Sequence, residues 1–328
     1  MTNYIIDFPG LGLTLNPPAG FSIGSFEVRF YGLIIALGLV LAVVYALRRR
    51  EQFGISEDDL MDGVLWIAPF AIICARLYYC AFEWDRYAAN PISILYIWEG
   101  GIAIYGAVIG AAIGVIIHCK LIKKISVLAV LDLVSLGFMI GQMLGRWGNF
   151  FNREAHGGIT DSFLRMGLIN PFTGTGEYYH PTFLYESLWN LVGFIAIHFL
   201  SKKRKYDGQV ALMYVAWYGL GRAFIEGLRT DSLWWGNFRV SQVLAAGSCI
   251  LAVGALVFLA FRPHDPADLF VNKVAAKAAA EAETAEETSE VYALWAPHWG
   301  AHFFSIKNNK TNKYILAHSS IERGTKLV

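Results

Sequence analysis

Residues 126–157 read SVLAVLDLVSLGFMIGQMLGRWGNFFNREAHG. Ser126–Leu144 is an apolar run long enough to cross a bilayer. The thirteen residues that follow, Gly145–Gly157, hold Arg146 and Arg153, Asn149 and Asn152, Glu154, His156 and three glycines. Polar groups packed this densely at a membrane boundary are costly and need a reason. Glycine lets backbone approach a ligand or turn sharply. Arginine and asparagine donate to anionic oxygens, arginine as a planar fork. On chemistry alone this is a site for an anionic head group at a membrane surface; an ordinary polar connecting loop is the plainer alternative.

The whole chain agrees with a membrane setting. Of 328 residues, 55% are hydrophobic and 16% charged, with a mean hydropathy of +0.44; a soluble domain carries about 25% charged residues. The net charge of +1 offers no basic excess for nucleic acid. Cys74, Cys80, Cys119 and Cys249 are scattered in or beside apolar runs without metal-ligand spacing, which makes them packing residues, and no metal or cofactor site is expected. Residues 1–25 lack the basic start and the cleavage site of a signal peptide.

Seven runs qualify as spans: approximately Phe26–Leu47, Met61–Phe82, Ile102–His118, Ser126–Leu144, Phe183–Leu200, Gln209–Leu228 and Val240–Phe261. Gly106, Gly110 and Gly114 in the third recur every four residues, the spacing of close helix packing. Arg48–Arg50, Lys120 with Lys123 and Lys124, and Lys202–Lys205 follow the first, third and fifth runs. Seven spans put all three basic loops on one side, the cytoplasmic one. The expected fold is therefore all-α, a polytopic integral membrane protein with seven transmembrane helices and its N-terminus outside. Residues 145–182 are too long for a simple loop and are expected to form a small external head between the fourth and fifth helices. The membrane domain is expected over 1–262. Residues 263–328 are expected to be a cytoplasmic tail, disordered or partly helical, because alanine and charge replace the apolar pattern there.

Further polar residues stand where they are costly. Tyr218, Arg222 and Glu226 recur every fourth residue in the sixth run, with Arg229 three further on, all on one face near the external end. Such a face lines a cavity with Arg146, or it is an ion pair beside a snorkelling arginine. Arg76 lies in the outer half of the second run, where binding and anchoring roles are equally open. Asp132 lies nearer the cytoplasm and reads as structural, as does Glu186 in HPTFLYE (His180–Glu186), a carboxylate placed to receive backbone or arginine donors. Tyr105 follows the WEGG turn into the third run, and Tyr31 stands in the first; tyrosines there also serve as plain interface anchors.

Taken together, these motifs resemble the bacterial prolipoprotein diacylglyceryl transferases, over roughly Phe26 to Phe261. The specific signature is GRWGNFFNREAHG at Gly145–Gly157, close to the family pattern GRxGNFxNxExxG. YGL at Tyr31, WEGGIAIYG at Trp98, HPTFLYE at His180 and YGxxRxxxE at Tyr218 support it in order. The resemblance implies an enzyme of the bacterial plasma (inner) membrane whose active site faces outward. It implies transfer of the diacylglyceryl group of phosphatidylglycerol to the lipobox cysteine thiol of a prolipoprotein signal peptide, with release of glycerol 1-phosphate. The implied signature residues are Arg146, Asn149, Asn152, Glu154 and Gly157, with Arg222 and Glu226 as the pair on the sixth run and Tyr31 and Tyr218 as cavity tyrosines. Some members carry a histidine, assigned a base role, where this chain has Tyr105.

The residues suit that chemistry. A phosphate leaving group needs cations, which Arg146 and Arg222 supply. The thiol belongs to the partner protein, and nearby arginines would lower its pKa. Tyr105, with a reference pKa of about 10, is a poor base at neutral pH, whereas His156, in the signature, is better matched at about 6.5. Membrane lipids are the other expected partners. Intramembrane charges and glycine-rich helices also describe transporters, which differ in gathering polar residues at the midplane and in having repeated halves.

Overall fold

The computed structural model describes residues 4–24, 26–230, 233–299, 304–308 and 313–317. Two short hairpins open the chain, β1 (Ile5–Phe8) with β2 (Leu13–Leu15) and β3 (Gly20–Ile23) with β4 (Phe26–Arg29). Helices α1 (Phe30–Arg49), α2 (Glu57–Phe82), α3 (Trp84–Ala88), α4 (Ile104–Ile117) and α5 (Val127–Asn152) follow. Then come β5 (Met166–Ile169), β6 (Gly176–Tyr179), α6 (Thr182–Leu200), α7 (Gln209–Ile225), the hairpin β7 (Trp234–Trp235) and β8 (Phe238–Arg239), and α8 (Val240–Ala260). α9 (Phe270–Trp299) and a last hairpin, β9 (Phe304–Asn308) with β10 (Lys313–Ala317), complete the described chain.

Six helices, α1, α2, α4, α5, α6 and α8, are long and apolar enough to cross a membrane. The sixth expected span forms α7, 17 residues long with Arg222 in its last turn, and it is not among these six.

The all-α expectation needs correcting. β2, β1, β5 and β6 form a four-stranded antiparallel sheet, which joins the N-terminal segment to the connection between α5 and α6. Ile6 pairs with Leu168 across it, and both bury against Phe150, Met166 and Phe183. Strands of three or four residues leave no hydropathy run, and the β1–β5 partners are far apart in sequence, so a search for spans passes over them.

The helix expected to stop at Leu144 runs on to Asn152, which turns GRWGNFFN from a loop into the last two turns of α5. Its stop is conformational. Arg153 adopts a left-handed backbone, φ 56°, and its N–H closes on the carbonyls of Asn149 and Phe150.

The three basic loops do meet at one end. Arg49 donates to Ser201 Oγ, Arg204 to the carbonyl of Gln52, and Lys123 pairs with Asp59 and Asp62. Asp132 accepts from the backbone N–H groups of Gly208 and Ala211, both at 2.8 Å, and so fixes the start of α7 against α5. At the third run, Gly106 and Gly110 seat α4 on Cys74, Ala75 and Tyr78 of α2, as their spacing predicts.

The chain forms two compact units, Met1–Asn272 and Lys273–Val328. The first extends ten residues past the expected boundary at 262, because Phe270 packs on the core and its N–H donates to Asp207 Oδ2 at 2.9 Å. Within the second, α9 continues to Trp299, followed by the β9–β10 hairpin.

Candidate active site

Three helices deliver one charged side chain each to a common point, at the end of the bundle opposite the basic loops. α5 supplies Arg146, the first turns of α6 supply Glu186, and the last turn of α7 supplies Arg222. Glu186, 3% exposed, is the hub. Its Oε1 accepts from Arg222 Nη1 at 2.9 Å and from Arg229 Nη1 at 3.5 Å. Its Oε2 lies 2.5 Å from Arg146 Nη2, an ion-pair contact without the angle of an aligned hydrogen bond. Arg222 Nη2 also reaches Glu226 Oε2 at 2.6 Å, and Arg239 donates to the Glu226 carbonyl.

Packing holds these groups in register. Trp147 Nε1 donates to Ser187 Oγ at 3.1 Å, and that hydroxyl donates to the Met143 carbonyl at 3.0 Å, locking α5 to α6 one residue away from both Arg146 and Glu186. Trp189 and Trp217 stack 4.5 Å apart, and each indole N–H donates to the other's carbonyl at 2.9 Å, locking α6 to α7. Tyr218 stacks on Tyr214, whose hydroxyl takes Gln142. Tyr31 lies against Gly148, where a Cβ would come within 2.7 Å of its ring.

The rest of the signature builds the surroundings. Glu154 Oε1 accepts from the side-chain amides of both Asn149 and Asn152, each at 3.1 Å, so both donors point at their neighbour. Gly157 N–H donates to His180 O, Gly158 N–H to Leu228 O, and Gly157 bridges Arg229. A Cβ at Gly157 would lie 2.7 Å from His180 Cβ and 2.8 Å from Leu228 O, so only glycine lets the loop approach the segment carrying Arg229.

His156 Nδ1 lies 3.1 Å from Gly157 O, and its ring sits 4.1 Å from that of Tyr179. Tyr179 donates to Glu177 at 2.7 Å, and that carboxylate, aided by burial, pushes the phenol up to about 12. Among the described residues, His156 is tied to the cluster through the Gly157 backbone.

Among the described residues, Arg76 and Tyr105 make no hydrogen bond or ion pair with this cluster. Arg76 is buried, and every one of its nitrogens donates to backbone carbonyls, those of Ile94, Gly100, Gly101, Ser93 and Tyr96. It is the anchor of the loop between α3 and α4, not a free cation. Gly101, φ +75°, leaves no room for a Cβ beside that guanidinium. Tyr105 lies on α4, is 41% exposed, and has no hydrogen-bond partner among the described residues.

The chain matches the prolipoprotein diacylglyceryl transferase family over residues 18–259. It belongs to that family. Relatives called phosphatidylglycerol–prolipoprotein diacylglyceryl transferase include one from Listeria innocua, 44% identical over 263 residues that cover 78% of this chain and 95% of the relative. One from Limosilactobacillus reuteri is 44% identical over 274 residues, 81% and 98% of the two chains, and one from Lysinibacillus sphaericus is 43% identical over 255, or 75% and 93%. The chain is thus a membrane transferase.

Within this diacylglyceryl transferase fold, reading the sequence assigned Glu186 only a general acceptor role and gave no role to Arg239 or Arg153. Arg153 is a keystone: its side chain donates to Tyr4 O, Phe151 O, Asn16 Oδ1 and Pro17 O, which pins the N-terminal hairpins beneath α5. A charge beside the helix stop is a signal for such a role, but apart from Phe151 its partners are more than 130 residues away. Around Glu186, the described residues include four guanidinium groups (146, 222, 229, 239) and two carboxylates (186, 226). Arg146 makes no hydrogen bond through Nε or Nη1 among the described residues, which leaves donors for an anion.

Proposed function

We propose that this chain transfers the diacylglyceryl group of phosphatidylglycerol to the lipobox cysteine thiol of a prolipoprotein, forming a thioether and releasing glycerol 1-phosphate. The observation that carries the reading is the convergence of Arg146, Arg222 and Arg229 on the single carboxylate of Glu186. Glu186 holds mutually repelling guanidinium groups together before any lipid arrives, so little reorganisation remains when phosphate binds. As the C–O bond to phosphate breaks, charge builds on the leaving oxygen, and Arg146 and Arg222 stabilise it through planar donor forks. The incoming thiol loses its proton and attacks the glyceryl carbon; the cationic pocket favours its thiolate, and His156 is the candidate acceptor for the proton. Asn149, Asn152 and Glu154 act as one bonded unit that shapes the lip of the site. Gly157, Tyr31, Tyr218 and Glu226 complete the cavity.

In this reading α7 is the seventh span, the sheet and residues 145–182 form an external head, and the basic end faces the cytoplasm. Support comes from the gathering of the basic loops at the end opposite Arg146.

Incubating the purified protein with phosphatidylglycerol and a lipobox peptide should give a peptide heavier by one diacylglyceryl group, together with free glycerol phosphate. No product from a folded, monodisperse sample would end the proposal. Cysteine labelling at positions 160 and 203 tests orientation: the first should react in intact cells and the second only after permeabilisation.

A further inference from the structure

Three charges of the transferase cluster sit where α7 ends. Arg222 stands in its last turn, Glu226 opens the short tight turn Glu226–Leu228 that follows, and Arg229 comes directly after it. A helix C-terminus leaves its last carbonyls without partners inside the helix. Whatever satisfies those carbonyls therefore also sets where these three side chains stand.

Two side chains from the start of α8 take that part. Gln242 Nε2 donates to Ala223 O at 2.8 Å, one residue from Arg222. Arg239 Nη1 donates to Glu226 O, the same carbonyl that receives the Arg229 N–H at 3.2 Å. Both groups lie against the turn itself: a Cβ at Gly227 would stand 3.5 Å from Gln242 Nε2 and 3.9 Å from Arg239 Nη1.

The place of Arg239 on its own helix points the same way. It is the N-cap residue of α8, where the positive end of the helix dipole disfavours a cation, and its side chain makes no capping bond there. The guanidinium instead lies against the end of α7, where the dipole is negative, and 5.0 Å from the centre of the Trp234 ring. We propose that Arg239 and Gln242 are positioning residues for the transfer step, an inference that rests on the transferase reading above. They act on the backbone around Arg222, Glu226 and Arg229, not on the lipid. Arg222 reaches Glu186 at 2.9 Å and Glu226 at 2.6 Å. Such bonds weaken beyond about 3.2 Å, so a small loosening of the α7 end is enough to misplace the fork.

Steady-state transfer by the purified full chain tests this, with kcat, the KM for phosphatidylglycerol and the melting temperature measured for each variant. Arg239→Met and Gln242→Met keep side-chain length and remove the donor. Each should lower kcat about tenfold and leave KM within about twofold, because a misplaced Arg222 costs stabilisation of the transition state more than binding of the ground state. Arg239→Lys should recover most of the turnover lost in Arg239→Met, since a single carbonyl needs one donor and not a planar fork. If Arg239→Met does not fold, Gln242→Met carries the test. Unchanged kcat in folded Met variants, even with a lower melting temperature, would overturn the proposal by reducing both residues to structural supports. A raised KM at unchanged kcat would overturn it by placing them on the lipid, and an Arg239→Lys enzyme as slow as Arg239→Met would remove the carbonyl contact as the cause. Absence of transfer by the parent would end the transferase reading and this proposal with it, whereas an active parent matched by its Met variants would end this proposal alone.

Discussion

Arg222 Nη1 lies 2.9 Å from Glu186 Oε1, while the other terminal nitrogen of the same guanidinium lies 2.6 Å from Glu226 Oε2. One arginine therefore bridges two buried carboxylates on different elements, through a planar fork that a lysine ammonium cannot copy. Arg222→Lys keeps the charge and loses the bridge. Turnover should fall about ten- to a hundredfold, the cost of one charge-assisted bond of about 1.5–3 kcal/mol. Arg146→Lys should behave alike. In the proposed clamp both arginines serve one phosphate, so the double variant should lose less than the product of the single losses. Steady-state turnover and melting temperature on the same preparations check this, and near-normal turnover in Arg222→Lys would refute the shared clamp.

Removing the hub itself should act first on stability. Glu186→Gln leaves Arg146, Arg222 and Arg229 facing one another without their common counter-ion. Breaking a buried charge network by deleting one partner costs about 3–5 kcal/mol. Melting temperature should drop clearly, and added phosphatidylglycerol should recover part of the loss by supplying an anion. Recovery by phosphatidylcholine to the same extent would count against the electrostatic account.

Arg76 is expected to separate folding from binding. Arg76→Gln strips backbone carbonyls at Ser93, Ile94, Tyr96, Gly100 and Gly101 of their donors. Thermal unfolding should move to lower temperature, with the KM for phosphatidylglycerol of the surviving folded enzyme unchanged. A large rise in KM at unchanged stability would restore Arg76 to the site.

Proton removal from the thiol is decided by two variants. His156→Ala should slow transfer moderately, and Tyr105→Phe should do less, since Tyr105 lies on α4 with its side chain 41% exposed. Rates across pH for both variants make the comparison. A folded but inactive Tyr105→Phe enzyme would reverse the ranking.

The tail should be dispensable only beyond the packed part. A chain ending at Asn272 keeps Phe270 on the core and its bond to Asp207, and should retain most activity. One ending at Asp268 loses both and should melt lower. Equal melting temperatures for the two would show that Phe270 contributes nothing.

Local rules of the chain were enough for much of this protein. Apolar runs declare membrane helices because a bilayer demands about twenty apolar residues in succession. The basic clusters declare a common end, and Arg146, Arg222 and Glu226 stand out because charge beside apolar sequence is costly. Four-residue glycine spacing announced close packing of α4, though not its partner α2. Each of these signals is contained within a single element.

What tertiary structure alone decided are relationships between distant segments. The sheet needs β1 to find β5, Arg153 needs Tyr4 and Pro17, and Glu186 becomes a hub only where α5 and α7 bring their arginines to it. The same holds for what a charged residue does. Arg76 and Arg146 read alike in sequence, two arginines near the outer ends of apolar runs, yet the first spends its donors on backbone carbonyls and the second keeps donors to spare. The residue type sets how many hydrogen bonds an arginine can donate, and only the packed chain sets which acceptors come within 3 Å of it.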